Sequence, residues 1–409
     1  MANRARVLMI SNQYPITIGR KPVIGGGGAH VFYLSRALAQ TNQVSVVLLT
    51  HHRAHPGTEQ ANFLIEPVNF FWKRRELIRR ACDLVARHEL NVIHGHHYDG
   101  GLLGKEIATR TNLPFVLTMH KPPRLTKVRC DYHLSDTDQA RWREFATNPS
   151  VKANIAYSET YLAELRRLEA KNTHLIYHGV PVEELQYKAQ ELEWRDSCLG
   201  KSIPQKHKLV LCPMRPEKPG FETFILAAAI VKREFPDVTF IATADTRQSA
   251  DPRKARVRRL IQMSRCLGLD EQSMRFVEFP LRRMWALIRR ADIAVLSSLR
   301  EGLSIVLLES MALGTPIVAF DAPGIEEAIV HEESGILCEP GKEEHLAQAI
   351  LRLLRSDDLG QRLSSNALVR VRSRFHARDM ALNYTRLYEQ LINAPAQENG
   401  QNGLSGSSS

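Results

Sequence analysis

Three lacks narrow the field: few cysteines, no apolar run long enough to cross a membrane, and fewer acidic than basic residues. The six cysteines, Cys82, Cys130, Cys198, Cys212, Cys266 and Cys338, are scattered through 409 residues. They form no CxxC pair and no zinc-type spacing, which excludes a disulfide framework or a cysteine metal clip and reads as reduced thiols. No stretch approaches the roughly 18 to 20 apolar residues that a spanning helix needs. Arg4 and Arg6 precede only the short run Val7 to Ile10, below the roughly 7 to 15 residues of a signal-peptide core. A cytosolic chain is therefore expected.

The acidic shortfall is 44 Asp and Glu against 55 Lys and Arg, for a formal net charge of +11. Such a surface attracts nucleotides, polyanions and anionic membranes over a Debye length. The basic clusters Lys73-Arg74-Arg75 with Arg79-Arg80, and Arg253 to Arg259, sit in no helix-turn-helix, zinc-finger or RNP pattern, so no nucleic-acid partner is expected. A basic amphipathic helix at about Phe71 to Glu89 leaves peripheral contact with an anionic membrane open. With 44% hydrophobic residues, the chain is long enough for two cores.

The apolar pattern alternates. A strand Arg6 to Ser11, a loop Asn12 to Gly28, a helix and a strand Val44 to Thr50 open a β-loop-α-β series, which continues through Val92 to His94, Phe115 to Met119, Ile155 to Ser158 and Leu175 to Tyr177. A second series runs from Leu209 to Cys212 to Ile293 to Leu296. Strands alternating with helices give parallel sheets covered on both faces. The expected fold is α/β, two Rossmann-like doubly wound domains facing a cleft. The first domain spans 1–182, a charged linker 183–206 and the second domain 207–375. A helix at 376–392 is a candidate for returning to the first domain, and the polar stretch 393–409 reads as a disordered tail.

In such sheets ligands sit beyond the carboxyl ends of the strands. Glu301 and Glu309 flank a helix start at Ser304, with Gly314 and Pro316 ending the helix. The free amides of Ser304, Ile305 and Val306 and the helix dipole would cradle a diphosphate. Glu309 can accept both hydroxyls of a ribose, and Glu301 the hydroxyls of a sugar beyond the phosphates. Arg215 and Lys218, just past a strand end, would face the same diphosphate with charge-assisted hydrogen bonds. The run Gly25 to Gly28 before His30 would let backbone approach a phosphate. No acidic residue ends the second strand, so this is not a dinucleotide fingerprint. His120 follows a strand and points toward the cleft. His94, His96 and His97 stand at another strand end, but only Asp99 lies at ligand spacing, so packing or substrate contact is expected and no metal site.

Together these residues resemble the family-4 retaining glycosyltransferases of the GT-B fold. The resemblance rests on Glu301 through Glu309 continued by Ser310-Met311-Ala312-Leu313-Gly314-Thr315-Pro316, on Pro323-Gly324-Ile325-Glu326-Glu327, on Gly25-Gly26 with His30, on Thr118-Met119-His120, and on Tyr177-His178-Gly179-Val180. It implies a nucleotide-sugar donor, UDP- or GDP-linked, and an acceptor that is a small molecule, glycan or lipid held by the first domain and the segment Lys121 to Asn148. It implies Gly25 and Gly26 at the donor phosphates, His120 beside the anomeric carbon, Arg215 and Lys218 on the diphosphate, Glu301 on the donor sugar and Glu309 on the ribose. Phe279 and Leu281 are candidate contacts for the base. No cofactor and no metal are implied. Rival readings keep the fold: a nucleotide-sugar 2-epimerase, or a non-catalytic nucleotide-sugar binder.

Overall fold

The computed structural model describes residues 4–394, apart from 14–15, 19–20, 24–25, 52–56, 71–72, 121–135, 192–202, 205, 217, 245–251 and 278–280. The first unit contains β1 (Ala5–Ile10), the hairpin β2 (Ile16–Ile18) and β3 (Lys21–Val23), α1 (Gly26–Gln40), β4 (Val44–His51), β5 (Gly57–Gln60), β6 (Phe63–Val68) and α2 (Arg74–Arg87). It continues with β7 (Val92–His96), α3 (His97–Thr111), β8 (Phe115–Thr118), α4 (Asp136–Ala146), β9 (Val151–Ala156), α5 (Glu159–Arg167), β10 (Thr173–Leu175) and α6 (Val182–Glu191). Its main sheet has the order β10-β9-β8-β7-β1-β4-β6-β5. Every pair is parallel except β5 with β6. The central strands β1 and β7 bury nearly every side chain, as two-faced parallel strands must.

The second unit runs β11 (Lys208–Cys212), α7 (Phe221–Glu234), β12 (Val238–Thr243), α8 (Pro252–Cys266), β13 (Met274–Val277), α9 (Leu281–Arg290), β14 (Ile293–Leu296) and α10 (Ile305–Ala312). It closes with β15 (Ile317–Phe320), α11 (Ile325–Ala328), β16 (Ile336–Cys338), α12 (Glu343–Leu354), α13 (Asp357–Arg374) and α14 (Ala377–Asn393). The parallel order is β13-β12-β11-β14-β15-β16. In each sheet the chain reverses its direction of travel at the first strand of the unit, between β1 and β7 and between β11 and β14. These are the crevices where doubly wound sheets take ligands.

Two expectations change. The linker begins as a helix, because Val182, Leu185 and Ala189 of α6 are buried against α9 and α10. The helix after the glycine run starts at Gly26, so the loop is shorter than its composition implies. The returning helix is observed: α14 packs on α1 and β1, and its N-terminus is stitched to the first unit by a parallel bridge between Val180 and His376. Among the described residues no helix is long and apolar enough to cross a membrane. The basic α2 packs Leu77, Ile78, Ala81, Leu84 and Val85 inward, and Arg74 and Arg80 pair with Glu106 and Glu66.

Candidate functional site

The loops after β11 and β14 are adjacent because those strands are. Leu299 N donates to Pro219 O at 3.2 Å, locking the two loops together. Lys218 and Glu301 consequently form a direct ion pair between Nζ and Oε1, with Glu301 largely buried and Lys218 partly exposed. Arg215 stands exposed on the same loop, its carbonyl accepting from Lys218 N at 3.1 Å. Three residues beyond Glu301, Ser304 caps α10 without a side-chain bond, and the first bond back to it comes from Leu308 N at 3.2 Å. The amides that open α10 therefore keep the anion-binding character of a helix start. Gly324 holds this loop from behind. Its φ is 81°, and a Cβ there would lie 1.3 Å from the Gly302 carbonyl oxygen, so only glycine fits.

Glu309, one turn further into α10, is buried. Its Oε1 accepts from the Tyr33 hydroxyl of α1, across the cleft, and from Trp285 Nε1 of α9 at 3.2 Å. Burial pushes the carboxyl up to about 7, and the two donors pull it only partly back.

Across the cleft, at the β1/β7 crevice, imidazoles gather. His30 comes from α1, His94 and His96 from β7, His97 from the start of α3, His120 from beyond β8 and His178 from the chain before α6. Ring centroids are 4.3 Å apart for His30 and His178, 4.9 Å for His30 and His120, and 4.3 Å for His97 and His120. Tyr157 stacks on His178 at 4.2 Å and donates to the His120 carbonyl at 3.2 Å. His178 Nδ1 lies 3.3 Å from Leu303 O, tying this cluster to the loop before α10. Burial, with the neighbouring histidines, holds His30, His96 and His120 well below the usual imidazole range. Burial alone takes His94 down to about 3.

Thus Lys218, Glu301, Ser304, Ile305 and Val306 converge on one crevice, Glu309 lies in the wall between the units, and His120 sits opposite. Gly26 opens α1. Gly25 and Phe279, the side chain of Leu281 and residues 121–135 of the acceptor segment lie outside the described residues. Sequence reasoning missed Tyr33, Tyr157 and Trp285, which no motif marks. It quoted His30 and His178 without giving them a role.

Residues 24–184 match the family described as Glycosyltransferase Family 4, and residues 200–370 the family described as Glycosyl transferases group 1. The chain belongs to the family-4 glycosyltransferases. This glycosyltransferase is 24% identical to glycogen synthase of Mycobacterium tuberculosis over 94% of each chain. It is 25% identical to D-inositol 3-phosphate glycosyltransferase of Jonesia denitrificans, over 72% of this chain and 69% of that one. Among solved structures, sucrose-phosphate synthase from Thermosynechococcus elongatus superposes with a TM-score of 0.77 at 22% identity, covering 96% of this chain and 100% of that one. Anabaena HepE, solved in complex with UDP-glucose, superposes with a TM-score of 0.72 at 20% identity, over 93% and 98%. The glycosyltransferase thus has the GT-B fold of two facing parallel-sheet domains.

Proposed function

We propose that the enzyme transfers a sugar, with retention at the anomeric carbon, from a UDP- or GDP-linked donor to a small-molecule, glycan or lipid acceptor held by the first domain, with no metal required. The observation that carries the reading is the Lys218–Glu301 pair set against the free start of α10 at the β11/β14 crevice. A diphosphate there meets a cation and a helix N-terminus, and the neighbour solved with UDP-glucose shares the fold.

In this reading Lys218 and Arg215 take the charge that develops on the departing diphosphate. Glu301, whose position Lys218 fixes, accepts sugar hydroxyls. The bond from the anomeric carbon to the phosphate oxygen breaks as the bond to the acceptor oxygen forms, and the acceptor proton passes to the departing phosphate. His120, held neutral, lies on the opposite wall beside the reacting carbon. Glu309 takes the ribose by exchanging the Tyr33 hydroxyl for ribose hydroxyls.

The test is transfer by Lys218→Ala and Glu309→Ala, with circular dichroism to confirm folding. Each is expected to lower kcat/KM by about 100-fold or more, the scale of roughly 3 kcal/mol of lost transition-state stabilisation. Turnover in 5 mM EDTA is expected to be no lower than turnover without it. Wild-type rates in both variants would sink the assignment of the crevice.

A further inference from the structure

His94 and His96 sit two positions apart on one strand, yet their environments differ. Both nitrogens of His94 are engaged: Nδ1 lies 2.7 Å from the Tyr388 hydroxyl and Nε2 2.8 Å from Thr118 Oγ1. It is a packed core histidine. Among the described residues, by contrast, both ring nitrogens of His30 are buried without a hydrogen-bond partner, while His96 Nδ1 and His120 Nε2 meet each other at 3.2 Å. An unsatisfied buried polar group costs on the order of 1 to 3 kcal/mol, so one retained in a native fold calls for a reason, a bound ion among them.

The geometry points to a divalent transition-metal site formed by His30, His96 and His120. One ring nitrogen from each lies within 4.8 Å of the others, and His96 Nδ1 is 3.2 Å from His120 Nε2. In tetrahedral coordination with bonds near 2.0 to 2.1 Å, ligand nitrogens stand about 3.3 Å apart, a spacing the His96–His120 pair already has and the full triangle reaches by contracting on the ion. The three rings come from α1, the end of β7 and the turn after β8, rigid neighbours around one crevice. Three imidazoles with an open fourth position suit zinc and its neighbours in the first transition row. Of the three, His120 is partly exposed and the other two are buried.

This differs from the absence of a metal site expected from spacing, because residues 30, 96 and 120 show no ligand spacing in the chain. It also leaves transfer itself metal-free. An occupied triad engages the His120 ring that the transfer reading places beside the anomeric carbon, so the ion acts as an inhibitor.

Binding can be measured without a transfer assay, so its failure is distinct from failure of the transfer reading. The full chain, stripped with EDTA, is titrated with Zn2+ against a chromophoric chelator, and separately with Co2+ by visible absorption. The expected result is about one Zn2+ per chain at sub-micromolar affinity and the intense d–d band of four-coordinate Co2+. His30→Gln and His96→Gln should each weaken binding about 100-fold, while His345→Gln, on the exposed face of α12, leaves it unchanged. Weak binding that all three variants share with the parent would overturn the site. Should the triad variants fail to fold, the Co2+ spectrum of the parent chain decides, and a weak octahedral-type band or none overturns it.

Discussion

At the residue scale the two carboxylates eight positions apart behave differently, and their places along the chain were readable while the partners of Glu309 were not. Glu301 lies in a loop beside Lys218, as its place before a helix start suggests. Glu309 sits too deep in α10 to be a cap, which the sequence also indicates. Its Tyr33 and Trp285 partners come from two other helices, one of them in the other domain. Periodicity places Tyr33 on a buried face and does not say what that face meets. The raised pKa has a definite sign for stability. The unfolded carboxyl titrates near 4.5 and the folded one near 7, so between those values the folded state binds more protons and stability falls as pH rises. The penalty is absent below about pH 4.5 and complete above about pH 7, on the order of 3 kcal/mol. Glu309→Gln keeps an acceptor for both donors and removes the titration. The buried histidines, neutral when folded, act in the opposite direction, so the variant is compared with the parent at each pH. Its melting temperature should exceed the parent's at pH 8 by several degrees and match it near pH 4.5. An equal offset at both pH values would show that Glu309 does not titrate in this range.

At the element scale the alternation of strands and helices was legible because parallel strands buried on both faces are nearly pure apolar runs. What escaped was set by tertiary packing. Helix α3 begins at His97, directly at the end of β7. Glycines 100 and 101 argue against a helix by propensity, yet a Cβ on Gly100 would lie 2.4 Å from Ile10 O. The close approach of α3 to β1 requires the glycine and outweighs its intrinsic cost. Strands β5 and β6 form the sheet edge, where Glu66 and Pro67 interrupt the apolar pattern. Helix α6 looked like linker because its charged face dominates the composition. The returning α14 was recognisable by its length and period, but its anchor was not. Tyr384 and Tyr388 are fully buried, and the Tyr388 hydroxyl meets His94 at 2.7 Å. Tyr388→Phe keeps the ring and leaves His94 Nδ1 without its partner, so a loss of about 1 to 3 kcal/mol is expected. A fall in the thermal midpoint of a few degrees with unchanged far-UV circular dichroism checks this. No shift would mean that water replaces the hydroxyl.

At the scale of the whole molecule the two domains are closed on each other. Their apolar cores run together through α1, α6, α10 and α14, and polar contacts cross the cleft beside them. One of these spans the cleft at the end of α11. Glu327, in the segment after Pro323-Gly324, reaches the start of α5 in the first domain. Its carboxylate accepts from the amides of Glu159 and Thr160 at 2.7 and 2.9 Å and from Thr160 Oγ1 at 2.9 Å. A carboxylate at a helix N-terminus is favoured by the free amides and the dipole, so the second domain supplies a cap that α5 shares with its own Ser158. The sequence showed Glu327 only as part of a motif, since its partner lies 168 positions away in the chain. Hydrogen bonds to a charged acceptor contribute about 1.5 to 3 kcal/mol each when buried. Here Glu159 is exposed and solvent competes, so the set contributes on the order of 1 to 2 kcal/mol to closure. Glu327→Ala shifts the balance toward an open cleft by about 5- to 30-fold without touching the β11/β14 crevice. Small-angle scattering should show a larger radius of gyration for the variant, and a nucleotide-sugar ligand that needs both walls should bind more weakly by a similar factor. Each domain's secondary structure should remain intact. A radius of gyration identical to the parent's would mean that the shared apolar core, and not this carboxylate, holds the domains together.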